Sequence, residues 1–274
     1  MFTSRAIEVP GASLATRDYG GGGPALVLMH GAGMDQGSLE PLSRRLRESF
    51  RVVTFDFRGH GRTSQAPWTL ASAVSDLTTV TAGYGLAAPA VGGHSLGGMV
   101  AVAYGADYPT CPGVINIDGH GRGRVDQYVG YDEAAVRHLW EQQDRRIEQL
   151  TEGFRAVLIR ALLFALRKPA ISSAVTRQVV RESGAIDLFT LYEKVTCPLL
   201  VFNATASDTS RLRRMWAGEG VLLAAAYRQG LVRDLAALEA RRGSREVATV
   251  EASHMLIRTH PELVAHRITS FLRS

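Results

Sequence analysis

Several features that mark special classes of protein are scarce in this chain of 274 residues. It has only two cysteines, which are too few for a disulfide framework and lack the spacing of a metal site. No apolar run reaches the roughly 20 residues of a transmembrane helix, and the first residues lack the apolar segment of a secretory signal. We therefore expect a cytoplasmic protein that neither spans a membrane nor holds a metal ion.

Charge of one sign is also scarce. Lysine and arginine together number 31 against 26 aspartates and glutamates, a net charge of +5, and only Lys168 and Lys194 are lysines. The arginines are scattered and are not interleaved with aromatic residues as on a nucleic-acid surface, so we expect no nucleic-acid partner. With 46% hydrophobic and 21% charged residues, the composition indicates a globular protein with a sizeable core.

Short apolar runs alternate with longer amphipathic stretches along most of the chain. This alternation is typical of βαβ units around a parallel sheet and predicts an α/β fold. The predicted strands lie at residues 4–9, 13–18, 25–29, 51–55, 89–91, 113–117, 199–202 and 246–250. The predicted helices between them lie at residues 39–48, 70–84, 96–106, 231–240 and 261–271.

One long segment breaks the alternation. Residues 119–190 contain amphipathic helical sequence, as at 136–150 and 154–166, and no convincing strand. Insertions of this size at the carboxyl ends of parallel strands often form lids or pockets, because ligands bind in the crevice outside those ends. We expect a single domain with residues 1–118 and 191–274 as its core and residues 119–190 as an inserted helical cap, here called the inserted segment.

The motif G-x-S-x-G occupies residues 93–97, where a short predicted strand meets a predicted helix. In this context the motif is typical of a nucleophile elbow, a strained turn that presents its serine at the sheet's edge. The turn also places the serine at a helix N-terminus, where free N–H groups and the helix dipole favour developing negative charge. Ser95 is therefore the predicted nucleophile.

A serine nucleophile needs a base that a third group orients. Among the eight histidines, His254 follows the last predicted strand and precedes the last helix, which places it at the carboxyl end of the sheet. It is the predicted base. The others lie in glycine-bearing turns, in the inserted segment or on helix surfaces: His30, His60, His94, His120, His138, His260 and His266.

Two aspartates are candidates for the orienting acid. Asp118 ends the strand at 113–117, and Asp208 follows the strand at 199–202, so both can reach the same rim of the sheet. We favour Asp208, because the order Ser95, Asp208, His254 is the chain order expected of this triad. Asp118 also precedes His254 and stays open as the alternative.

The oxyanion of a tetrahedral intermediate needs two backbone N–H donors. We predict that one is the amide of Leu96 and that the second is the amide of Ala32, with Gly33 as the fallback, in the loop of small residues after the strand at 25–29. The side chains expected to bind substrate lie in these loops or on the apolar face of the inserted segment. They are His30, Met34, His94, Trp140, Phe154, Leu158 and Met255.

These motifs, taken together, resemble the α/β-hydrolase fold, in the large group whose members carry a helical cap. The resemblance covers nearly the whole chain and rests on His30-Gly31, residues 56–63 (D-F-R-G-H-G-R-T), residues 93–97, residues 198–208 and Ser253-His254. It implies an eight-stranded, mostly parallel sheet in the order 1-2-4-3-5-6-7-8, with helices on both faces, the cap between strands six and seven, and no metal or organic cofactor. Residues 203–208 depart from the family pattern, because they lack the glycine that usually precedes the aspartate.

The resemblance and the serine together imply acyl chemistry, the hydrolysis of an ester, lactone or thioester of a small hydrophobic metabolite. Three alternatives stay open: carbon–carbon bond hydrolysis of a β-diketone type of substrate, acyl transfer with the same residues, and ligand binding without turnover. The expected partner is a small-molecule substrate, and the protein is expected to be a monomer or a homodimer. Since the family order makes strands six and seven neighbours, Cys111 and Cys197 are expected close together as reduced thiols.

Overall fold

The computed structural model of the protein describes residues 2–152, 173–206, 219–241 and 245–274. Its centre is an eight-stranded sheet in the order β1-β2-β4-β3-β5-β6-β7-β8, the order that the family resemblance implied. The strand β2 pairs antiparallel with β1 and with β4, and the other neighbours are parallel. The strands are β1 Thr3–Val9, β2 Ala12–Asp18, β3 Ala25–Met29, β4 Arg51–Phe55, β5 Ala90–His94, β6 Val114–Ile117, β7 Leu199–Ala204 and β8 Arg245–Val250.

Helices cover both faces of the sheet, as the predicted fold class requires. The described helices are α1 Glu40–Leu46, α2 Leu70–Gly83, α3 Leu96–Asp107, α4 Glu133–Glu152, α5 Ser173–Ala185, α6 Leu188–Lys194, α7 Glu219–Glu239, α8 Leu256–Thr259 and α9 Pro261–Arg273. Two short 3-10 helices, Gln36–Leu39 and Val125–Gln127, precede α1 and α4. Within the described ranges, no helix combines the length and the apolar composition that a membrane crossing needs.

The central parallel strands are buried on both faces, which explains why they appear in the sequence as continuous apolar runs. Successive side chains of β3 show this, because they enter two different apolar clusters. Val27 and Met29 pack in the cluster under α2 and α3. Leu26 and Leu28 pack in the cluster under α1 and α9. The sheet is thus held from both sides, and its carboxyl edge is the rigid platform on which the candidate site lies.

Residues 119–190 lie between β6 and β7, and the regular elements described among them are helices. The helix α4 covers the predicted stretch at 136–150, whereas the predicted stretch at 154–166 lies outside the described residues. Tyr128, Val136 and Leu139 form a small apolar cluster with Leu223 of α7. The helices α5 and α6 instead bury side chains in the large core cluster under α3. The boundaries 119–190 therefore stay a prediction.

The helix α7 begins twelve residues before the predicted start at residue 231. Glycines at 220 and 230 weaken the local helical signal, because glycine is a poor helix former. Packing explains the glycine at position 230, because a Cβ atom there would overlap the carbonyl group of Gln127. Close packing of α7 against the 3-10 helix Val125–Gln127 therefore overrides the propensity.

The two cysteines lie just before β6 and β7. Both Cys111 and Cys197 are buried free thiols. A hydrogen bond with Cys197, together with burial, raises the pKa of the Cys111 thiol. The neighbouring positions of β6 and β7 thus place the two thiols near each other in the same apolar cluster.

Candidate active site

Ser95 lies between the last residue of β5 and the first residue of α3. Its backbone has φ 54° and ψ −116°, a conformation that residues other than glycine rarely adopt. The amide of Ser95 donates to the carbonyl of Ile117 in the neighbouring strand (2.9 Å), and its carbonyl accepts from the amide of Gly98 (3.0 Å). The strained turn is thus held by β6 on one side and by α3 on the other, as a nucleophile elbow requires.

The glycines of the motif permit this turn. A Cβ atom at Gly93 would overlap the backbone of Gly97, and one at Gly97 would overlap the carbonyl of Met29. Strand and helix can therefore approach only if both positions lack a side chain. The pentapeptide pattern recognised in the sequence is in this way a packing requirement.

His254 follows β8 and faces Asp118, the residue directly after β6. Its Nδ1 lies 2.7 Å from Oδ2 of Asp118. The other carboxylate oxygen, Oδ1, accepts from the amide of Ala204 at 2.8 Å. Since an ionised carboxylate only accepts hydrogen bonds, Nδ1 of His254 carries the proton and its Nε2 is left to act as a base.

Asp118 is nine-tenths buried, yet it stays charged. Burial is the largest single influence and acts to raise the pKa of Asp118, but hydrogen bonds and charge from His120 and His254 together hold that pKa below its ordinary value. Nε2 of His120 lies 3.5 Å from Oδ1 of Asp118 and 3.1 Å from the carbonyl oxygen of Phe202. Two histidines therefore flank one carboxylate at the rim.

His94 lies behind His254 and is fully buried. Its Nε2 donates to the backbone carbonyl of His254 at 2.7 Å, and the two ring centroids are 4.6 Å apart. Burial lowers the pKa of His94 to about 4, so its ring is neutral at physiological pH. His94 therefore holds the backbone of His254, a contact that differs from the substrate contact predicted for it.

A cavity of about 550 Å³ opens on Ser95, Asp118 and His254. Its other walls include Met255 and, from α7, Tyr227 and Arg228. The volume lies within the roughly 300–1,000 Å³ typical of small-molecule sites. Across the part of the chain that the structure describes, no group of three or more His, Cys, Asp or Glu residues is arranged to hold a metal ion.

Comparison with known proteins agrees with this geometry. Residues 26–267 match the Alpha/beta hydrolase family. The chain belongs to this family.

Curated relatives of this α/β hydrolase are distant. It is 28% identical, over 77% of its own length and 84% of the relative's, to a 2-(acetamidomethylene)succinate hydrolase of Mesorhizobium japonicum. It is 36% identical to a pimeloyl-[acyl-carrier protein] methyl ester esterase of Xanthomonas oryzae pv. oryzae, but that match spans only 53% of this chain and 54% of the esterase. A crystal structure of E-2-(acetamidomethylene)succinate hydrolase superposes over the full length of both chains with a TM-score of 0.69 and 20% identity, which shows the common fold.

Of the two candidate acids in this α/β hydrolase, the structure brings Asp118 to His254. Asp208 lies outside the described residues. Chain order did not separate the two, because both precede His254. The signal that favoured Asp118 was the glycine-free approach to Asp208, a departure from the family pattern at residues 203–208.

The loop after β3 lies against Ser95. A Cβ atom at Gly31 would be 3.2 Å from Cβ of Ser95. The amide of Met34 donates to the carbonyl of Gly31 (3.2 Å), which closes a turn with Gly33 at φ +71°. Ala32, the predicted oxyanion donor, occupies the exposed second position of this turn. The other predicted donor, the amide of Leu96, belongs to the first residue of α3.

His30 does not contact the cavity. Its Nδ1 donates to the carbonyl of Gly31 at 2.8 Å, and its Nε2 accepts from the amide of Phe57 at 3.1 Å. Burial lowers the pKa of His30 to about 4. With both nitrogens used inside the protein, His30 shapes the loop after β3, and these contacts leave it no atom for the predicted substrate role.

Of the other side chains predicted to bind substrate, some line the cavity and some lie elsewhere. Met255 lines the cavity, whereas Met34 lines a separate surface hollow with Gly33 and neighbouring residues. Trp140 packs on Tyr128, and its Nε1 donates to the tyrosine hydroxyl at 3.1 Å. Phe154 and Leu158 lie outside the described residues.

Sequence reasoning missed the contribution of α7. Tyr227 and Arg228 line the cavity, although no motif surrounds them and their stretch was not predicted to be helical. The hydroxyl of Tyr227 donates to the carbonyl of His120 at 3.1 Å. This contact ties α7 to the beginning of the inserted segment, beside Asp118.

Proposed function

We propose that this protein is a serine hydrolase that cleaves an ester, lactone or thioester of a small molecule with Ser95, His254 and Asp118. One observation carries the proposal: a strained serine at a helix N-terminus opens on the same cavity as a hydrogen-bonded histidine–aspartate pair. That combination is the arrangement of nucleophile, base and orienting acid. The Xanthomonas relative, named as a methyl ester esterase, supports an ester substrate.

The first half of the reaction forms an acyl-enzyme. Nε2 of His254 takes the proton of the Ser95 hydroxyl as its oxygen attacks the substrate carbonyl, and Asp118 stabilises the imidazolium that results. Among the described residues no hydrogen bond yet joins the side chains of Ser95 and His254, and such bonds commonly tighten when substrate binds. The amides of Leu96 and Ala32, with Gly33 as the alternative to Ala32, stabilise the oxyanion.

The second half releases the acyl group. The acyl-enzyme has formed once His254 has given its proton to the leaving group and that group has departed. His254 then takes a proton from a water molecule, which attacks the acyl-enzyme carbonyl, and returns that proton to the Ser95 oxygen as the acid product leaves. The inserted segment acts as a lid in this proposal, because His120 and Gly121 at its beginning line the cavity. Carbon–carbon bond hydrolysis and acyl transfer would use the same residues, so the products must distinguish them.

A substrate panel tests the proposal directly. Wild type and Ser95→Ala are assayed with p-nitrophenyl esters of increasing chain length, a lactone and a β-diketone, and products are identified by mass spectrometry. We expect ester turnover by wild type and a loss of several orders of magnitude in Ser95→Ala. Unchanged turnover in Ser95→Ala would refute the serine mechanism. Equal melting temperatures for the two proteins exclude misfolding as the cause of a loss.

Binding without turnover is the remaining alternative. A fluorophosphonate probe reacts only with an activated serine, so we expect stoichiometric labelling of wild type at Ser95, located by peptide mapping. Absence of labelling, together with a rise in melting temperature on adding a hydrophobic ester, would favour a binding protein.

A further inference from the structure

The described wall of the cavity contains two charged side chains, Asp118 and Arg228, and the two differ in whether groups of opposite charge surround them. The charge of Asp118 is opposed by His254 and His120 and by the amide of Ala204. Arg228 has no acidic partner among the described residues. Its Nη1 donates to the carbonyl oxygen of Thr205 at 3.3 Å, and no carboxylate of the described residues lies within 4.0 Å of its guanidinium.

Three other arginines of the inserted segment and α7 each pair with a carboxylate. Arg122 pairs with Asp144. Arg124 and Arg233 both pair with Asp234, at 3.3 Å and 2.7 Å. Unopposed charge is therefore not a general property of arginines in this region.

A guanidinium in this position is suited to bind an anion. The side chain is half-buried, and buried or partly buried charges are normally paired with an opposite charge. Its five N–H donors form a planar fork that matches a carboxylate, and the hydrogen bond to Thr205 uses only part of that fork. Leu231, also on α7, supplies an apolar wall beside it. A ligand with a carboxylate on an aliphatic body fits both features.

We infer that Arg228 binds a carboxylate carried by the substrate, so that the enzyme acts on anionic esters of small carboxylic acids. This inference rests on the proposed function, since it assigns the substrate class of the same cavity. It replaces the purely hydrophobic substrate expected from the sequence by one with an anionic group at a distance from the reacting carbonyl.

Two pairs of substrates test the inference, each pair differing in one negative charge. The acyl pair is the mono-p-nitrophenyl ester of adipic acid and p-nitrophenyl hexanoate. The leaving-group pair is 4-acetoxybenzoic acid and 4-acetoxybenzamide. For each compound kcat/KM is divided by its spontaneous hydrolysis rate. We expect wild type to prefer the acid in at least one pair by about 10- to 100-fold, the range of a charge-assisted hydrogen bond.

Variants then assign the preference to Arg228. In Arg228→Met the ratio of acid to neutral substrate should fall close to one, and Arg228→Lys should keep an intermediate ratio because it retains the charge but not the fork. Arg233→Met is the matched control, since it removes a paired arginine of the same helix, and it should keep the wild-type ratio. A wild type without acid preference in either pair, or a preference that survives in Arg228→Met, overturns the inference.

A binding measurement separates this inference from the proposed function. Ser95→Ala is titrated calorimetrically with adipate, and the same titration is repeated in Ser95→Ala/Arg228→Met. Weaker binding in the double variant supports the carboxylate site even if serine chemistry fails. Equal binding by the two proteins, or no binding by either, contradicts the carboxylate site whatever the outcome for Ser95.

Discussion

At the rim of the sheet, backbone hydrogen bonds position Ser95 and Asp118 of the proposed triad. On the helices above the sheet, side-chain hydrogen bonds position the cavity residues. The amide of Ser95 donates to the carbonyl of Ile117, and the amide of Asp118 donates to the carbonyl of Phe202 at 3.2 Å. Both residues have positive φ values, 54° and 56°. Arg228 is held instead by a side-chain hydrogen bond to the backbone of Thr205.

This difference in how residues are held assigns the chemistry of the proposed reaction to the rim and the choice of substrate to the helices above it. A residue whose backbone is tied to a neighbouring strand cannot shift without breaking the sheet's hydrogen bonds, so its geometry persists when substrates change. A residue on a helix can be exchanged for another without altering that frame. We therefore expect substitutions at the rim to cost far more activity or stability than substitutions in the inserted segment and α7.

The largest effect is expected from the acid. Asp118→Asn should lower kcat by about 10³- to 10⁴-fold, because an amide cannot stabilise the imidazolium and favours the wrong tautomer of His254. Asp208→Asn, the matched aspartate variant, should change kcat little. Steady-state kinetics of both variants on one p-nitrophenyl ester decide the matter, and a greater loss in Asp208→Asn would return the role of acid to that residue.

Next in size is a pair of glycine substitutions that compares the two regions. Gly93→Ala should destabilise the protein by about 3 kcal/mol or more, because its Cβ atom would overlap the backbone of Gly97. Gly130→Ala in the inserted segment, where φ is +85° and no atom lies within 4 Å of the added Cβ, should cost only about 1 kcal/mol of backbone strain. Urea unfolding measures both, and equal losses would contradict the comparison.

A pH effect on stability should come from the rim. Burial lowers the pKa of His30, His60 and His94 to about 4 each, below the ordinary 6.5. Between these values the unfolded chain binds more protons than the folded protein, so the free energy of unfolding is highest above pH 6.5 and falls as the pH drops toward 4. Each histidine should contribute up to about 3 kcal/mol to this loss in the free energy of unfolding between pH 6.5 and pH 4.

Urea unfolding between pH 4.5 and 7.5 measures this dependence. His60→Gln removes one of the three groups and should make the slope shallower. A free energy of unfolding that stays constant from pH 4.5 to 6.5 would contradict the prediction. The charged Asp118 acts in a separate window, because its lowered pKa removes stability only below about pH 4.

The smallest effect is expected in the inserted segment. Trp140→Phe removes the hydrogen bond from Nε1 to the hydroxyl of Tyr128 and should cost about 1 kcal/mol of stability. Turnover should stay close to that of wild type, since the structure packs Trp140 on Tyr128 and not on the cavity. Thermal unfolding measures the loss of stability, and kcat/KM measures the effect on turnover. A large drop in kcat/KM would restore Trp140 as a substrate contact.

The elements around Ser95 were predictable because their signals are local. Short, mostly apolar stretches at 89–91 and 113–117 mark β5 and β6, and the glycines on either side of Ser95 mark the turn between strand and helix. The role expected of His254 follows in the same way from its position just after a strand. Each of these inferences depends on residues within a few positions of one another, where strand and helix periodicities act.

Pairing across the chain was not predictable in this way. Asp118 and His254 are 136 positions apart, and their contact depends on how β6 and β8 end relative to β7. The cavity wall formed by Arg228 depends on α7 packing against the 3-10 helix Val125–Gln127, where local propensity indicated no helix. The expected roles of His30 and His94 also changed, because a sequence does not show which backbone groups a loop histidine will contact.

Short-range periodicity and glycine sterics specify the α/β fold, the strands and the turn that carries Ser95, so these features could be predicted from the residues alone. The contact of Asp118 with His254 and the position of Arg228 in the cavity wall depend on the tertiary structure. These outcomes depend on distances between strand ends and helix faces that are far apart in the chain, and such distances are set by packing of the whole core.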